Sequence, residues 1–253
     1  MGIKYSQTHK VAFYESDTRG KMKISDILAV ALQISGEQSY TLDRSDTWIC
    51  DNFNLFWAVI EHEVQIHRLP DFNDQITIET EATSYNKFFC YRDFIFKNTA
   101  GEILVKISST WVLMNKDTRK VERVIDEIVA PYEAPKVSKI VRPHKYLTLS
   151  EHAQCNLAFP IRFSDLDMNG HVNNAKYFDW AVDQLDYDFR MTYEPKKIYI
   201  RYNHELLYGN HEFIHPVFEF QGDTTCHIIR KDGVDNANIE IEWSKISEEN
   251  EQK

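Results

Sequence analysis

The residues between 162 and 177 have side-chain types and spacings suited to acid–base chemistry. Asp167, Asn169 and His171 stand at alternate positions in this run. In an extended chain alternate side chains point to the same face, so an extended run would bring these three polar groups together. An imidazole exchanges protons near pH 7, and a neighbouring carboxylate can orient it. The spacing therefore predicts a catalytic cluster at this position.

The same run leads into a predicted helix, whose start offers further polar groups. Asn173 and Asn174 are residue types that favour the N-cap of a helix. Free N–H groups at a helix N-terminus favour negative charge, and Gly170 lets the backbone turn or a ligand approach closely. On residue types alone a second interpretation stays open, in which His171 and the asparagines only cap a strand-to-helix loop.

The elements around this run occur twice in the chain. The Ser-Asp pair at 16–17 matches the pair at 164–165 at a separation of 148 residues, and Gly20 matches Gly170 at a separation of 150. A two-residue insertion between the two positions would account for the difference. The similarity indicates a repeat on the scale of a whole domain.

Each copy is predicted to be a helix followed by antiparallel strands. Ser25 or Asp26 is expected to cap the first helix, and both helices carry apolar residues at steps of three and four. One helix per sheet, packed on one face, is an α+β arrangement. The apolar stripes are Ile27, Leu28, Ala31, Leu32, Ile34 and Ser35 in the first copy and Ala175, Phe178, Val182, Leu185 and Phe189 in the second. The predicted strands cover 57–60, 75–80, 88–96 and 103–114 in the first copy and 197–202, 213–220, 224–230 and 238–243 in the second.

The composition excludes several classes of function. A net charge of −10 argues against non-specific binding to nucleic acid or anionic membranes. The chain has neither an apolar run long enough to span a membrane nor a signal peptide, so we expect a soluble cytoplasmic protein. The four cysteines are widely spaced, which predicts reduced and buried thiols. His211 and His215 stand four apart, but Pro216 favours a strand over a zinc-binding helix, so no metal or cofactor is predicted.

The segment D-L-D-M-N-G-H-V-N-N at 165–174, followed by Lys176 and Tyr177, resembles the C-terminal active-site signature of the acyl-acyl-carrier-protein thioesterases. That family comprises the plant plastid fatty-acyl thioesterases and their bacterial relatives. The resemblance implies an α+β double hotdog, in which each unit is a long helix wrapped by a curved antiparallel sheet. The expected organisation is a non-catalytic N-terminal unit at 1–130 that supplies the acyl-chain pocket, a linker at 131–155, a catalytic unit at 156–247 and a disordered tail at 248–253.

The resemblance also implies a set of site residues. The family pattern Y-x-x-E corresponds to residues 202–205, so the catalytic set becomes Asp167, Asn169, His171 and Glu205. Leu206 stands where plant members commonly have cysteine, which leaves a carboxylate–imidazole mechanism.

Further roles follow from this set. Asp167 is expected to orient His171 or Asn169, and backbone N–H groups of Val172 and Asn173 are expected to hold the oxyanion. Asp165 is expected only to cap or turn the chain. The first copy has Lys21 and Leu69 opposite the imidazole and the second carboxylate, which predicts that it is inert.

The function that the resemblance implies is hydrolysis of fatty acyl-acyl carrier protein, which releases free fatty acid. An acyl-CoA thioesterase is the alternative, and a non-catalytic acyl-thioester sensor is a third hypothesis. The carrier protein is acidic, as this chain is, so docking needs a basic surface. Residues 131–155 supply Lys136, Lys139, Arg142, His144 and Lys145, which form either a docking strip or a solvated linker. A monomer and a homodimer are both compatible with two units in one chain.

Overall fold

The computed structural model describes residues 2–209 and 212–246, and it divides the chain into two compact units at 1–143 and 144–253. The division falls inside the predicted linker at 131–155. His211 and the predicted disordered tail lie outside the described residues. None of the described helices combines the length and apolar character needed to cross a bilayer.

The first unit is one long helix and an antiparallel sheet. The sheet has the strand order β1-β3-β4-β5-β2, with the short strand β6 paired to β5. Its helices are α1 (Ile24–Thr41), α2 (Asp46–Phe53) and α3 (Asp126–Val129), and its strands are β1 (Lys4–Lys10), β2 (Leu55–Ile66), β3 (Gln75–Tyr85), β4 (Cys90–Lys97), β5 (Ile103–Asn115) and β6 (Val121–Glu122). Helix α1 contacts β1 and β3. The predicted stripe is buried except for the half-buried Leu32, and Ile24, Ser25, Gln38 and Ser39 are buried as well.

The second unit repeats this plan with fewer strands. Its sheet has the order β10-β11-β12-β8, and β7 pairs with β9. The helices are α4 (Asn174–Val182) and α5 (Tyr187–Thr192), and the strands are β7 (Phe159–Pro160), β8 (Tyr193–Tyr202), β9 (Phe213–Ile214), β10 (Val217–Gln221), β11 (Thr224–Lys231) and β12 (Val234–Lys245). Helix α4 contacts β11 and β12. Each unit therefore has the predicted α+β arrangement.

Three predicted boundaries are wrong. Helix α1 begins at Ile24 after Lys23, so Ser25 and Asp26 lie in its first turn and do not cap it. The second stripe does not form one helix: α4 ends at Val182, and α5 begins after Asp186, whose carboxylate accepts the Phe189 N–H at 2.7 Å.

The chain between α4 and α5 is held by a buried amide. The Gln184 side chain is 1% exposed and bonds the backbone of Asn156 and Leu157, which fixes the break between the helices. The predicted strand at 213–220 is likewise split into β9 and β10, because Pro216 lacks the N–H that a continuous ladder requires.

The two copies align at a constant separation of 150 residues around the predicted site, so the pairing of Asp17 with Asp165 was wrong. The carboxylates of Glu15 and Asp165 each accept a backbone N–H three residues earlier, at 2.7 and 2.8 Å. Their carbonyls accept the N–H of Lys23 and Asn173, both at 2.8 Å. Asp165 therefore corresponds to Glu15 and shapes the chain, and no insertion is needed between this position and Gly170.

The four cysteines differ in how deeply they are buried. All four cysteines are free, but only Cys226 is buried, and Cys155 is exposed, so the expectation of buried thiols holds for one of them. Burial raises the pKa of the Cys226 thiol to about 12. Trp48, Phe53 and Trp57 pack against a core cluster in the first unit.

Candidate active site

Residues 167–171 form a closed turn. The Asp167 N–H donates to the His171 carbonyl at 2.7 Å, and the Gly170 N–H donates to the Asp167 carbonyl at 3.1 Å. Gly170 has a φ of +79°, a left-handed conformation that favours glycine. The prediction of an extended run was therefore wrong, and the three polar side chains do not share one face of a strand.

Asp167 acts on the backbone of this turn. Its Oδ1 accepts the N–H of Asn169 at 2.8 Å and the N–H of His171 at 3.1 Å. Aspartate side chains commonly bond the backbone two or more residues later in this way, which stabilises a turn. Asp167 thus positions the residue that carries the imidazole. The side chain of Asn169 is exposed and forms no hydrogen bond with the described part of the chain, and its catalytic role stays a prediction.

The turn brings the predicted imidazole and carboxylate together. Nε2 of His171 lies 3.6 Å from Oε2 of Glu205, and the two side chains are 18% and 36% exposed. This separation is just beyond a direct hydrogen bond, and a small side-chain movement or one water closes it. Both groups therefore reach the same point from two separate segments, while their roles in a reaction stay predictions.

Backbone bonds hold the Glu205 segment beside the turn. Val172 donates its N–H to the Leu206 carbonyl at 2.9 Å, and His171 forms an isolated bridge with Leu207. The separation of His171 and Glu205 thus depends on two short segments paired side by side.

Tyr177 is a site residue that sequence reasoning missed. Its hydroxyl accepts the Leu206 N–H at 3.1 Å, next to Glu205, and the side chain is 2% exposed. Burial raises the pKa of Tyr177, so its hydroxyl stays neutral. Tyr202 packs edge-on against the Tyr177 ring and donates to the Asn174 carbonyl at 3.1 Å. A signal was available, because the first copy has Ile27 where the second has Tyr177.

The predicted oxyanion donors are already engaged. The Val172 N–H donates to Leu206, and the Asn173 N–H donates to the Asp165 carbonyl at 2.8 Å. Asn173 is the N-cap of α4, as predicted, and its side chain accepts the Ala175 N–H. Because the Leu206 and Asp165 carbonyls already accept these two N–H groups, neither points at a ligand, and that part of the predicted site is wrong.

The first unit has the same turn with other side chains. Oδ1 of Asp17 accepts the N–H of Arg19 at 2.8 Å and of Lys21 at 3.0 Å, and Gly20 has a φ of +72°. The ammonium of Lys21, at the position of His171, forms an ion pair with Asp71. Leu69 occupies the position of Glu205 and is buried. The first unit thus lacks both proposed reactive groups. In neither unit do three or more His, Cys, Asp or Glu side chains of the described residues form a group that could hold a metal.

Comparison with known proteins supplies the family. The model of the acyl-ACP thioesterase N-terminal domain matches residues 2–132, and that of the C-terminal domain matches residues 149–245. An oleoyl-acyl carrier protein thioesterase of Arabidopsis thaliana is 33% identical over 220 residues, covering 81% of this chain and 60% of that protein. The corresponding Coriandrum sativum protein is 28% identical with the same coverage. The chain thus spans about three fifths of the length of these relatives.

Solved structures agree with this assignment. A putative oleoyl thioesterase from Lactobacillus plantarum is 29% identical and superposes with a TM-score of 0.92 over 98% of each chain. The 12:0-ACP thioesterase of Umbellularia californica, at 20% identity, has the same fold, with a TM-score of 0.83 over 96% of this chain and 98% of that chain. The predicted tandem hotdog is therefore confirmed, and the chain belongs to the acyl-ACP thioesterase family.

Proposed function

We propose that this protein hydrolyses the thioester of fatty acyl-acyl carrier protein and releases free fatty acid. The observation that carries the proposal is the 3.6 Å approach of His171 and Glu205 in the unit that matches the family's C-terminal domain. The relatives named as acyl carrier protein thioesterases support the choice of substrate. We also propose that the protein is located in the cytoplasm, which microscopy of a fluorescent fusion tests.

In the proposed mechanism Glu205 is the general base. Its carboxylate takes a proton from a water molecule, whose oxygen attacks the thioester carbon. As the carbon–sulfur bond breaks, the thiolate leaves and takes up a proton, assisted by His171. Direct attack by Glu205 through an anhydride is the rival route. A single turnover in water labelled with ¹⁸O tests the anhydride route, because label enters the Glu205 side chain only when water attacks the Glu205 carbonyl of an anhydride.

The segment at 135–142 is the proposed docking strip for the acidic carrier protein. It is held in the first unit by the Val137 N–H on the Tyr85 carbonyl at 2.8 Å, and by the Tyr85 N–H on the Pro135 carbonyl at 3.1 Å. Lys139 and Arg142 in this segment are exposed. Two exposed cations on an anchored segment suit an acidic partner.

The test is thiol release by the purified protein from acyl chains of several lengths, presented on carrier protein and on CoA. We expect kcat/KM to be at least about tenfold higher on carrier protein, and replacement of Lys139 and Arg142 by Glu to raise KM for that substrate only. Equal rates on both carriers would favour an acyl-CoA thioesterase. Saturable binding without thiol release would indicate a non-catalytic sensor.

A further inference from the structure

A buried guanidinium without a carboxylate partner lies inside the first unit. Arg92, on β4, is only 9% exposed. Its Nη1 donates to Oε1 of Gln38 at 2.6 Å and to Oγ1 of Thr80 at 2.9 Å, and the ring of Tyr132 lies 5.3 Å from its Cζ. Within the described ranges no Asp or Glu forms an ion pair with it. Arg92 therefore carries a buried positive charge that neutral oxygens and an aromatic ring surround.

The neighbouring groups do not supply the missing negative charge. The Tyr132 hydroxyl donates to Oγ of Ser39 at 2.7 Å, and burial raises its pKa, so it stays neutral. Burial also raises the pKa of the Cys90 thiol to about 12. Burial lowers the pKa of Arg92, but an arginine stays protonated in proteins. A buried charge without a counter-charge is costly, so the site favours an anion.

The guanidinium also has donors to spare. Arginine has five N–H donors, and both hydrogen bonds of Arg92 to described residues come from Nη1. The three donors on Nε and Nη2 form no hydrogen bond with the described chain. The Nε–Nη2 edge of the planar guanidinium presents two parallel N–H groups that match the two oxygens of a carboxylate, and a halide fits the same fork.

The second unit shows that the fold does not require this polar group. The strand registers place Arg92, Ser109 and His62 in one row across β4, β5 and β2. The corresponding row across β11, β12 and β8 is Thr225, Ile241 and Ile198. All six residues are buried. The same position thus holds a small neutral residue in one unit and an arginine in the other.

We infer that Arg92, with Gln38 and Thr80, forms a binding site for a small monovalent anion, a halide or a short carboxylate, inside the first unit. The anion accepts hydrogen bonds from Nε and Nη2 and neutralises the guanidinium. The site is separate from the proposed reaction, because none of its residues belongs to the unit that contains His171 and Glu205.

Bromide in crystals is the direct test. Crystals of the wild-type protein soaked in sodium bromide are expected to show an anomalous peak within about 3.5 Å of the Arg92 guanidinium. Sodium formate soaks test the carboxylate source in the same way, through planar density at the same fork. An empty or water-filled fork in both soaks would overturn the inference, and this measurement needs no variant to fold.

Thermal unfolding gives the matched solution test. Sodium chloride or sodium formate, compared with sodium gluconate at equal ionic strength, is expected to raise the melting temperature of the wild type by about 3 °C. Arg92→Thr, which installs the residue found in the second unit, should abolish that difference. Arg123→Thr, at an exposed arginine of the same unit, should keep it. Equal anion responses in the wild type and in Arg92→Thr would overturn the inference.

Discussion

In each unit a turn follows a short 3₁₀ helix, at Phe13–Glu15 and Phe163–Asp165, and leads into an α-helix, but the two turns carry different side chains. Asp17 and Asp167 accept the equivalent pairs of backbone N–H groups, and Gly20 and Gly170 have the same left-handed conformation. At the predicted site positions the turns differ twice, with Arg19 against Asn169 and Lys21 against His171. The comparison separates residues that build the turn, which both units share, from residues that occur only in the turn of the proposed catalytic unit.

The segment paired with each turn, at 69–70 in the first unit and at 205–206 in the second, also differs between the units. The Met22 N–H donates to the Pro70 carbonyl as the Val172 N–H donates to that of Leu206. Proline has no N–H, and the position of the first unit that matches Tyr177 holds the apolar Ile27. Leu206 has an N–H, and Tyr177 provides its acceptor. The tyrosine hydroxyl is therefore needed only where the chain carries a donor and an adjacent carboxylate.

The largest effect should come from the pair that the first unit lacks. Replacing His171 by Ala or Glu205 by Gln is expected to lower kcat/KM for thioester hydrolysis by about 10³-fold, because each change removes an acid–base group. Lys21→Ala, at the matching position of the first unit, should leave kcat/KM within about twofold. Wild-type turnover in both His171→Ala and Glu205→Gln would remove the proposed site.

A smaller effect is expected from the shared aspartates. Asp167→Ala should lower kcat by about 10²-fold, because an unsupported turn misplaces His171. Asp17→Ala should leave kcat unchanged. Both variants should lose about 1–2 kcal/mol of unfolding free energy, since in each case two backbone N–H groups lose the carboxylate that accepts them.

Rescue by a conservative variant distinguishes positioning from catalysis at this residue. Asp167→Asn keeps an oxygen that accepts the same two N–H groups, so most of the activity should return. Equal losses in Asp167→Asn and Asp167→Ala would instead assign the charge of Asp167 a direct part in the reaction.

Tyr177→Phe is expected to lower kcat by about 20-fold with KM little changed, because the Leu206 N–H loses its acceptor and Glu205 shifts. The matched control is Tyr132→Phe, which removes a buried hydroxyl bond from the first unit. If both variants lose stability equally and neither loses activity, Tyr177 is only structural.

The smallest effect concerns stability, in which both units should behave alike. Burial lowers the pKa of His62 in the first unit and of His227 in the second to about 3. Between pH 6.5 and 3 the unfolded chain binds more protons at these positions, so the unfolding free energy falls as pH falls, by about 1.4 kcal/mol per pH unit for each histidine.

The repeat provides the variants for this measurement. The strand registers align His62 with Ile198 and His227 with Phe94. Denaturant titrations of His62→Ile and His227→Phe between pH 5.0 and 6.5 should each show a shallower pH dependence than the wild type. An unchanged slope in either variant would show that its imidazole already titrates normally in the folded state.

The fold could be predicted where the sequence itself carries a clear pattern. The alternating strands, the Asn173 cap and the repeat all express short-range preferences. The break after Val182 was missed because it depends on the Gln184 side chain, which bonds backbone 27 and 28 residues earlier. Contacts at that distance leave no periodic trace in the chain.

Less of the candidate site than of the fold could be predicted from the residues alone. The meeting of His171 with Glu205 followed from the family resemblance, since the two residues are far apart in sequence. The extended run and the oxyanion donors failed for one shared reason. The backbone N–H groups of residues 169–173 donate to the Asp167 carboxylate and to nearby carbonyls. The residue types do not reveal these partners, because they depend on the conformation of the turn.

The proline at position 70 helps to keep the proposed site out of the first unit. Giving the first half the constellation of the second requires His at 21, Glu at 69, Leu at 70 and Tyr at 27. Taken singly, Glu at 69 buries an unpaired acid, and Leu at 70 adds an N–H with no hydroxyl to receive it. A first unit that carried only one of these two changes would therefore be less stable than the present one, so the His–Glu pair cannot be installed there by single, independent substitutions.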